Sequence, residues 1–278
     1  MPDLYAIGTE PAYVFVRLAL LVSAMGSVSF GLVGTFVVVR RIGYLAGAIA
    51  HCAFGGIGIG LYLQHQLGFA SVDPLGVALL VSVACAVLIG IVNRCAGERE
   101  DTIIGVIWAV GMAVGLLCLD KVTAGNVNIS AYLFGDLYLV SEKNLYAVAF
   151  LGLVVLATTL LCFHRLQAVA FDEEHTRLRG IPTTFYFQLL LVLASVTVVL
   201  MVQVVGMILV VAMLTLPAAA AGRLTRRLFP MAVLAVLFCF LFSWTGIYLS
   251  LWGNFSSGPM IIVVAAVGYA IALFVGRK

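Results

Sequence analysis

A chain of 278 residues that is 64% hydrophobic and 10% charged, with a mean hydropathy of +1.19, carries more apolar surface than a soluble core of its size can hide. Soluble domains run near half apolar and about a quarter charged, so the composition excludes an ordinary soluble enzyme or binding module and calls for a bilayer. The net charge of +3 points away from nucleic acid, because the basic residues fall at the ends of apolar segments and build no continuous face.

The opening MPDLYAIGTEPA has no basic stretch ahead of an apolar one, so no cleaved signal peptide is expected. Crossing roughly 30 Å of hydrocarbon takes about 20 apolar residues per helix. Charged or Gly/Pro/Asn clusters cut the chain into nine such windows, at 14–39, 43–64, 73–93, 102–119, 144–163, 184–204, 206–221, 229–251 and 258–276. The predicted fold is all-α, a bundle of nine transmembrane helices forming one membrane domain over residues 1–278, since no polar stretch is long enough to fold alone. The sixth and seventh windows meet at Gly206 with almost no linker. An N-terminus outside and a C-terminus inside leave only Arg17, Lys121 and Lys143 of the 15 Lys and Arg on the outer side, as the positive-inside rule demands.

The second window, GYLAGAIAHCAFGGIGIGLYLQ, places Ala48, Cys52, Gly56 and Gly60 in one helical row and Gly47, His51 and Gly55 in the next. Small residues at this spacing let helices approach closely. His51 stands about eight residues, roughly 12 Å by helical rise, above the start of the span. It is either a ligand or pathway residue, or a neutral histidine hydrogen-bonded to a neighbouring helix. One imidazole cannot hold a divalent ion, so a metal site here needs donors from other helices or from a second subunit.

Farther along, residues 120–142 mix polar positions with short apolar runs and predict an outer re-entrant or interfacial element. Its Asp136 either attracts cations at the outer mouth or caps the helix that follows. Residues 164–182, HRLQAVAFDEEHTRLRGIP, combine charge with spaced apolar positions and predict a short surface helix ending at Gly-Ile-Pro. Pro217 falls inside the seventh window, where it frees a backbone carbonyl and makes a hinge candidate. The six cysteines include no CxxC pair and read as packing residues. The chain has no GxSxG, HExxH or Walker-type sequence, so an active transporter built on it draws energy from an ion gradient or another subunit.

Several segments, in order and over nearly the whole chain, resemble one family, the permeases of ABC importers for zinc, manganese or iron. They are VVRRIGYLAGAIAH at 38–51, REDTIIGVIWAVGMAVG at 99–115, NISAYLFGDLYLVS at 128–141, FDEEHTRLRGIP at 171–182, VVGMILVVAMLTLPAAAAGRL at 204–224 and SSGPMIIVVAA at 256–266. The resemblance implies a nine-span permease of a bacterial inner membrane that pairs with a second permease chain, identical or paralogous. Two cytosolic ATP-binding subunits and an extracytoplasmic solute-binding protein would serve it. It further implies that 164–182 holds a cytoplasmic coupling helix, in which Asp172, Glu174, Arg177 and Gly180 match the family pattern. No cofactor is then bound permanently, and a divalent metal passes as substrate.

Many relatives read Asp-x-x-x-His in the second span, where this chain has Gly47 and keeps His51. Only His51 carries over as a ligand. Loss of a hard anionic donor disfavours manganese more than zinc, so zinc is the first expected cargo, and an aspartate returned at position 47 is expected to shift preference toward manganese. The competing readings are a permease for a metal chelate or another small nutrient, and a gradient-driven secondary metal carrier. An intramembrane enzyme lacks a catalytic pair in the spans.

Overall fold

The computed structural model describes residues 14–69, 71–96, 100–122 and 142–276. They form ten helices: α1 (Val14–Val39), α2 (Tyr44–His65), α3 (Pro74–Ala96), α4 (Glu100–Lys121), α5 (Glu142–Phe171), α6 (Glu173–Leu178), α7 (Thr183–Val205), α8 (Met207–Leu224), α9 (Leu228–Gly253) and α10 (Ser257–Val275). There is no strand among the described residues, and nine of the helices, all but α6, are long and apolar enough to span a bilayer. The predicted outer element and Asp136 lie outside the described residues, apart from the ends that α4 and α5 absorb.

Helices α1, α2 and α7 are buried over 67–78% of their most apolar stretch, against 22–33% for α3, α4, α5, α9 and α10, so the first three form the centre and the others the lipid-facing ring. In lipid, association rests on close packing more than on apolar burial. Along α1, Gly26 faces Met201 of α7, Gly34 faces the Leu214 carbonyl of α8, and Gly31 lies on the backbone of α9 at Val236.

These contacts set the directions of the helices. Arg40, just past the end of α1, lies over Phe187 near the start of α7, while Gly26 meets Met201 near the end of α7, so the two run antiparallel. Helix α8 meets Gly34 at Leu214 and Gly43 at Thr215. The chain therefore reverses at Gly206, the predicted junction. Its φ of 82° and ψ of 160° fall in a region reserved for glycine, and the residue is buried.

The fifth span is longer than predicted. Helix α5 continues to Phe171, past the end of the predicted window at 163, and the short helix expected within 164–182 is α6, Glu173–Leu178. Leu166, Val169 and Ala170 are buried and hold 164–171 in α5. Asp172, extended at φ −149° and ψ 98°, ends that helix and caps the next.

A methyl group at Gly206 forces the reversal out of its only comfortable conformation, at about 1–3 kcal/mol. Gly206→Ala is expected to lower the midpoint of thermal unfolding of the purified protein in detergent. Gly68→Ala, at a positive φ with open space around it, is expected to do far less, and equal losses would show that the buried reversal adds no constraint.

Candidate functional site

The two small-residue rows of α2 are packing faces, one for each neighbour. A Cβ built on Gly56 or Gly60 would lie 2.5 or 2.6 Å from the Cα atoms of Ala78 and Pro74 on α3. A Cβ on Gly55 or Gly58 would lie 2.7 or 2.6 Å from the carbonyl oxygens of Gly111 and Gly115 on α4. Backbone thus meets backbone on both sides, and α2 can neither rotate nor slide without a clash.

That registration aims His51 at α4. Its Nδ1 stands 3.1 Å from Sδ of Met112, and its ring stacks on the Trp108 indole with centroids 5.0 Å apart and planes inclined by 28°. With the proton on Nδ1, the ring donates to the thioether and turns the Nε2 lone pair outward. With the proton on Nε2, the Nδ1 lone pair faces the sulfur instead. His51, Trp108 and Met112 are all half-buried. Trp108 and Met112 are an i, i+4 pair on α4, a helix whose apolar run carries no polar signal, and sequence reasoning missed both.

Gly47 has a second meaning here. A Cβ at this position would lie 2.5 Å from Cη2 and Cζ3 of Trp108, so the indole occupies the space in which a side chain at 47 would sit. An aspartate returned at 47 alone collides with the ring, and the simple restoration expected above needs Trp108 to move. No group of three or more His, Cys, Asp or Glu able to hold a metal exists among the described residues. The imidazole and the thioether are the nitrogen and sulfur groups that this chain brings together here.

The four residues matched to a coupling helix divide into two kinds. Asp172 and Gly180 shape the ends of α6: the Asp172 carboxylate accepts from the His175 N–H at 2.9 Å, and Gly180 turns the chain at φ +75°. Glu174 and Arg177 are exposed and line a polar cleft of about 370 Å³ with Glu173, Asn93 and Thr184. Beside them Leu178 is 84% exposed and Phe171 64% exposed, an apolar pair on a charged rim. Arg40 ties α6 to the bundle, donating to Oε2 of Glu173 at 2.9 Å and to the Val169 carbonyl at 3.1 Å, with its guanidinium 4.7 Å above the Phe187 ring.

Pro217 is buried inside an unbroken α8. Proline at this position deprives the carbonyl four residues earlier of its helical partner, and the Cys239 thiol of α9 donates to that carbonyl, on Met213, at 3.6 Å. Cys52 and Cys85 are neighbours across α2 and α3 and line an apolar cavity of about 290 Å³.

Residues 12–276 match the ABC 3 transport family. A probable metal transport system membrane protein of Chlamydia muridarum is 35% identical over 93% of this chain and 88% of its own length. The manganese transport system membrane protein MntC of Halalkalibacterium halodurans is 30% identical over 96% of this chain and 89% of its own. Among solved structures, PsaBC from Streptococcus pneumoniae in complex with Fab superposes with a TM-score of 0.84 at 26% identity, covering 99% of this chain and 95% of that one. The chain belongs to the ABC 3 transport family, and is a multi-pass transport subunit of the bacterial inner membrane, with ATP hydrolysis left to a separate subunit.

Arg40 meets Glu173, the Val169 carbonyl and the Phe187 ring, whereas Glu173 takes part in only one of those contacts. Arg40→Met is therefore expected to lower the thermal midpoint of the purified chain more than Glu173→Gln does. Equal shifts would mean that the Val169 carbonyl and the Phe187 ring contribute nothing.

Proposed function

We propose that this chain is the permease subunit of an ATP-driven ABC importer for a divalent metal ion, with zinc as its preferred cargo. The observation that carries the reading is the His51–Met112 pair, half-exposed about 12 Å into the span. Lipid is a poor neighbour for an imidazole at that depth, and ionisable groups there line a pathway or meet a partner. A second permease chain, identical or paralogous, covers that face, and the cation crosses between the two.

The N-terminus lies outside and the arginine-bearing end, with α6, lies in the cytoplasm. Two ATP-binding subunits dock on α6, where Leu178 and Phe171 offer apolar anchors and Glu174 and Arg177 set the register. Asp172 and Gly180 hold the helix ends, and Arg40 transmits its displacement to α1 and α7. Drawing the two α6 helices together on ATP binding opens the His51 face alternately to each side. Pro217 is the hinge candidate in α8. An extracytoplasmic binding protein delivers the metal to the outer mouth, where Asp136 adds attraction for a cation.

Manganese is the second reading, favoured by the name of the MntC relative. The chemistry at Gly47 argues against it, because manganese prefers carboxylate and water oxygens and zinc accepts imidazole and sulfur.

Reconstituted with its ATPase and binding protein, the wild-type complex is expected to take up zinc with ATP and to leave manganese at least tenfold behind at equal concentration. His51→Ala is expected to abolish uptake. Full uptake by that variant removes His51 from the pathway, and uptake by the isolated chain driven by an ion gradient overturns the ABC reading.

A further inference from the structure

We infer that Met112 and Trp108 of α4 are the specificity-determining residues of this pathway: Met112 Sδ is the second ligand to the cargo beside His51, and Trp108 shuts out a carboxylate at position 47. This inference rests on the reading that metal passes His51. Four facts support it. The thioether stands 3.1 Å from the imidazole nitrogen, the indole fills the space of a side chain at 47, the same indole stacks on His51, and all three side chains are half-exposed on one face of the chain.

The distances suit a small, borderline-to-soft cation. With zinc–nitrogen bonds of about 2.0–2.1 Å and zinc–thiolate bonds of about 2.3 Å, a neutral thioether, the weaker donor, stands at least as far from the metal, so two such donors in a tetrahedral site lie roughly 3.6 Å apart or slightly more. The unbranched thioether reaches that separation by a small rotation. A sulfur donor is uncharged and polarisable, so it serves zinc and contributes little to manganese, which binds oxygen. Trp108 adds the steric half of the filter. Its ring excludes the hard anionic donor and, by stacking, holds the plane of the imidazole beside Met112.

A second copy presenting the same face across a two-fold axis brings the same pair. Two imidazoles and two thioethers make four donors, the coordination number zinc prefers. No proton is transferred and no bond other than coordination forms. The cargo sheds water on entry and regains it on exit.

The inference separates Met112 from a residue that only packs. In the reconstituted complex with its ATPase and binding protein, Met112→Leu keeps the volume and removes the sulfur. It is expected to lower zinc uptake at limiting zinc at least tenfold, with the thermal midpoint unchanged, while Met112→His restores uptake. Gly47→Asp alone is expected to lose uptake of both metals. Gly47→Asp with Trp108→Ala is expected to raise the manganese-to-zinc uptake ratio at least tenfold over wild type. Zinc uptake by Met112→Leu equal to wild type, or a double variant with the wild-type ratio, overturns the inference even where the wild-type complex transports zinc. A wild-type complex that moves neither metal instead overturns the functional reading on which it rests.

Discussion

Everything at the centre of this membrane domain depends on the contact of α2 backbone with the backbones of α3 and α4. Four glycines, Gly55, Gly56, Gly58 and Gly60, bring the helix axes so close that any side chain there would overlap a neighbouring Cα or carbonyl. In lipid, where apolar residues gain little by touching each other instead of acyl chains, this proximity is the main source of association between helices. It also sets a rotation angle, and the rotation aims His51 at Met112 and Trp108 rather than into lipid.

The connections between the end of the domain that carries α6 and the His51 face are short. Helix α6 is a single turn and a half held at one end by the Asp172 cap and at the other by the positive φ of Gly180. Arg40 joins it to α1 and α7, two of the three most buried helices. Helix α1 lies against α7, α8 and α9 through glycines, and α8 lies against α2 near Gly43. Helix α6 is thus joined to the central layer directly, through a charged group that is mostly buried.

Much of this was legible in the sequence, and the limits have physical causes. The nine spans follow from length and hydropathy, since apolar windows of about 20 residues satisfy their backbone in hydrocarbon as helices. The Gly206 junction was legible because no other residue type tolerates its conformation. The two small-residue rows of α2 announced two close neighbours but not which helices they were. Trp108 and Met112 stayed hidden because GVIWAVGMAVG is uniformly apolar, and only the parallel packing of α4 on α2 turns a thioether and an indole into parts of a site. Gly47 was read as a ligand lost, whereas the packing adds that its space is filled. The end of the fifth span was placed too early for a related reason: spaced apolar residues at 166–170 serve a surface helix and the buried end of α5 equally well, and the bundle decides between them.

The central claim is that cargo meets nitrogen and sulfur on the exposed face of α2 and α4. Zinc-edge X-ray absorption on the permease–ATPase complex, loaded with zinc without the binding protein and freed of excess metal, measures this directly. The account predicts a first shell with nitrogen at about 2.0–2.1 Å and a sulfur scatterer at a longer distance, the sulfur contribution disappearing in Met112→Leu. A shell of oxygen alone, or a sulfur contribution that survives Met112→Leu, contradicts it.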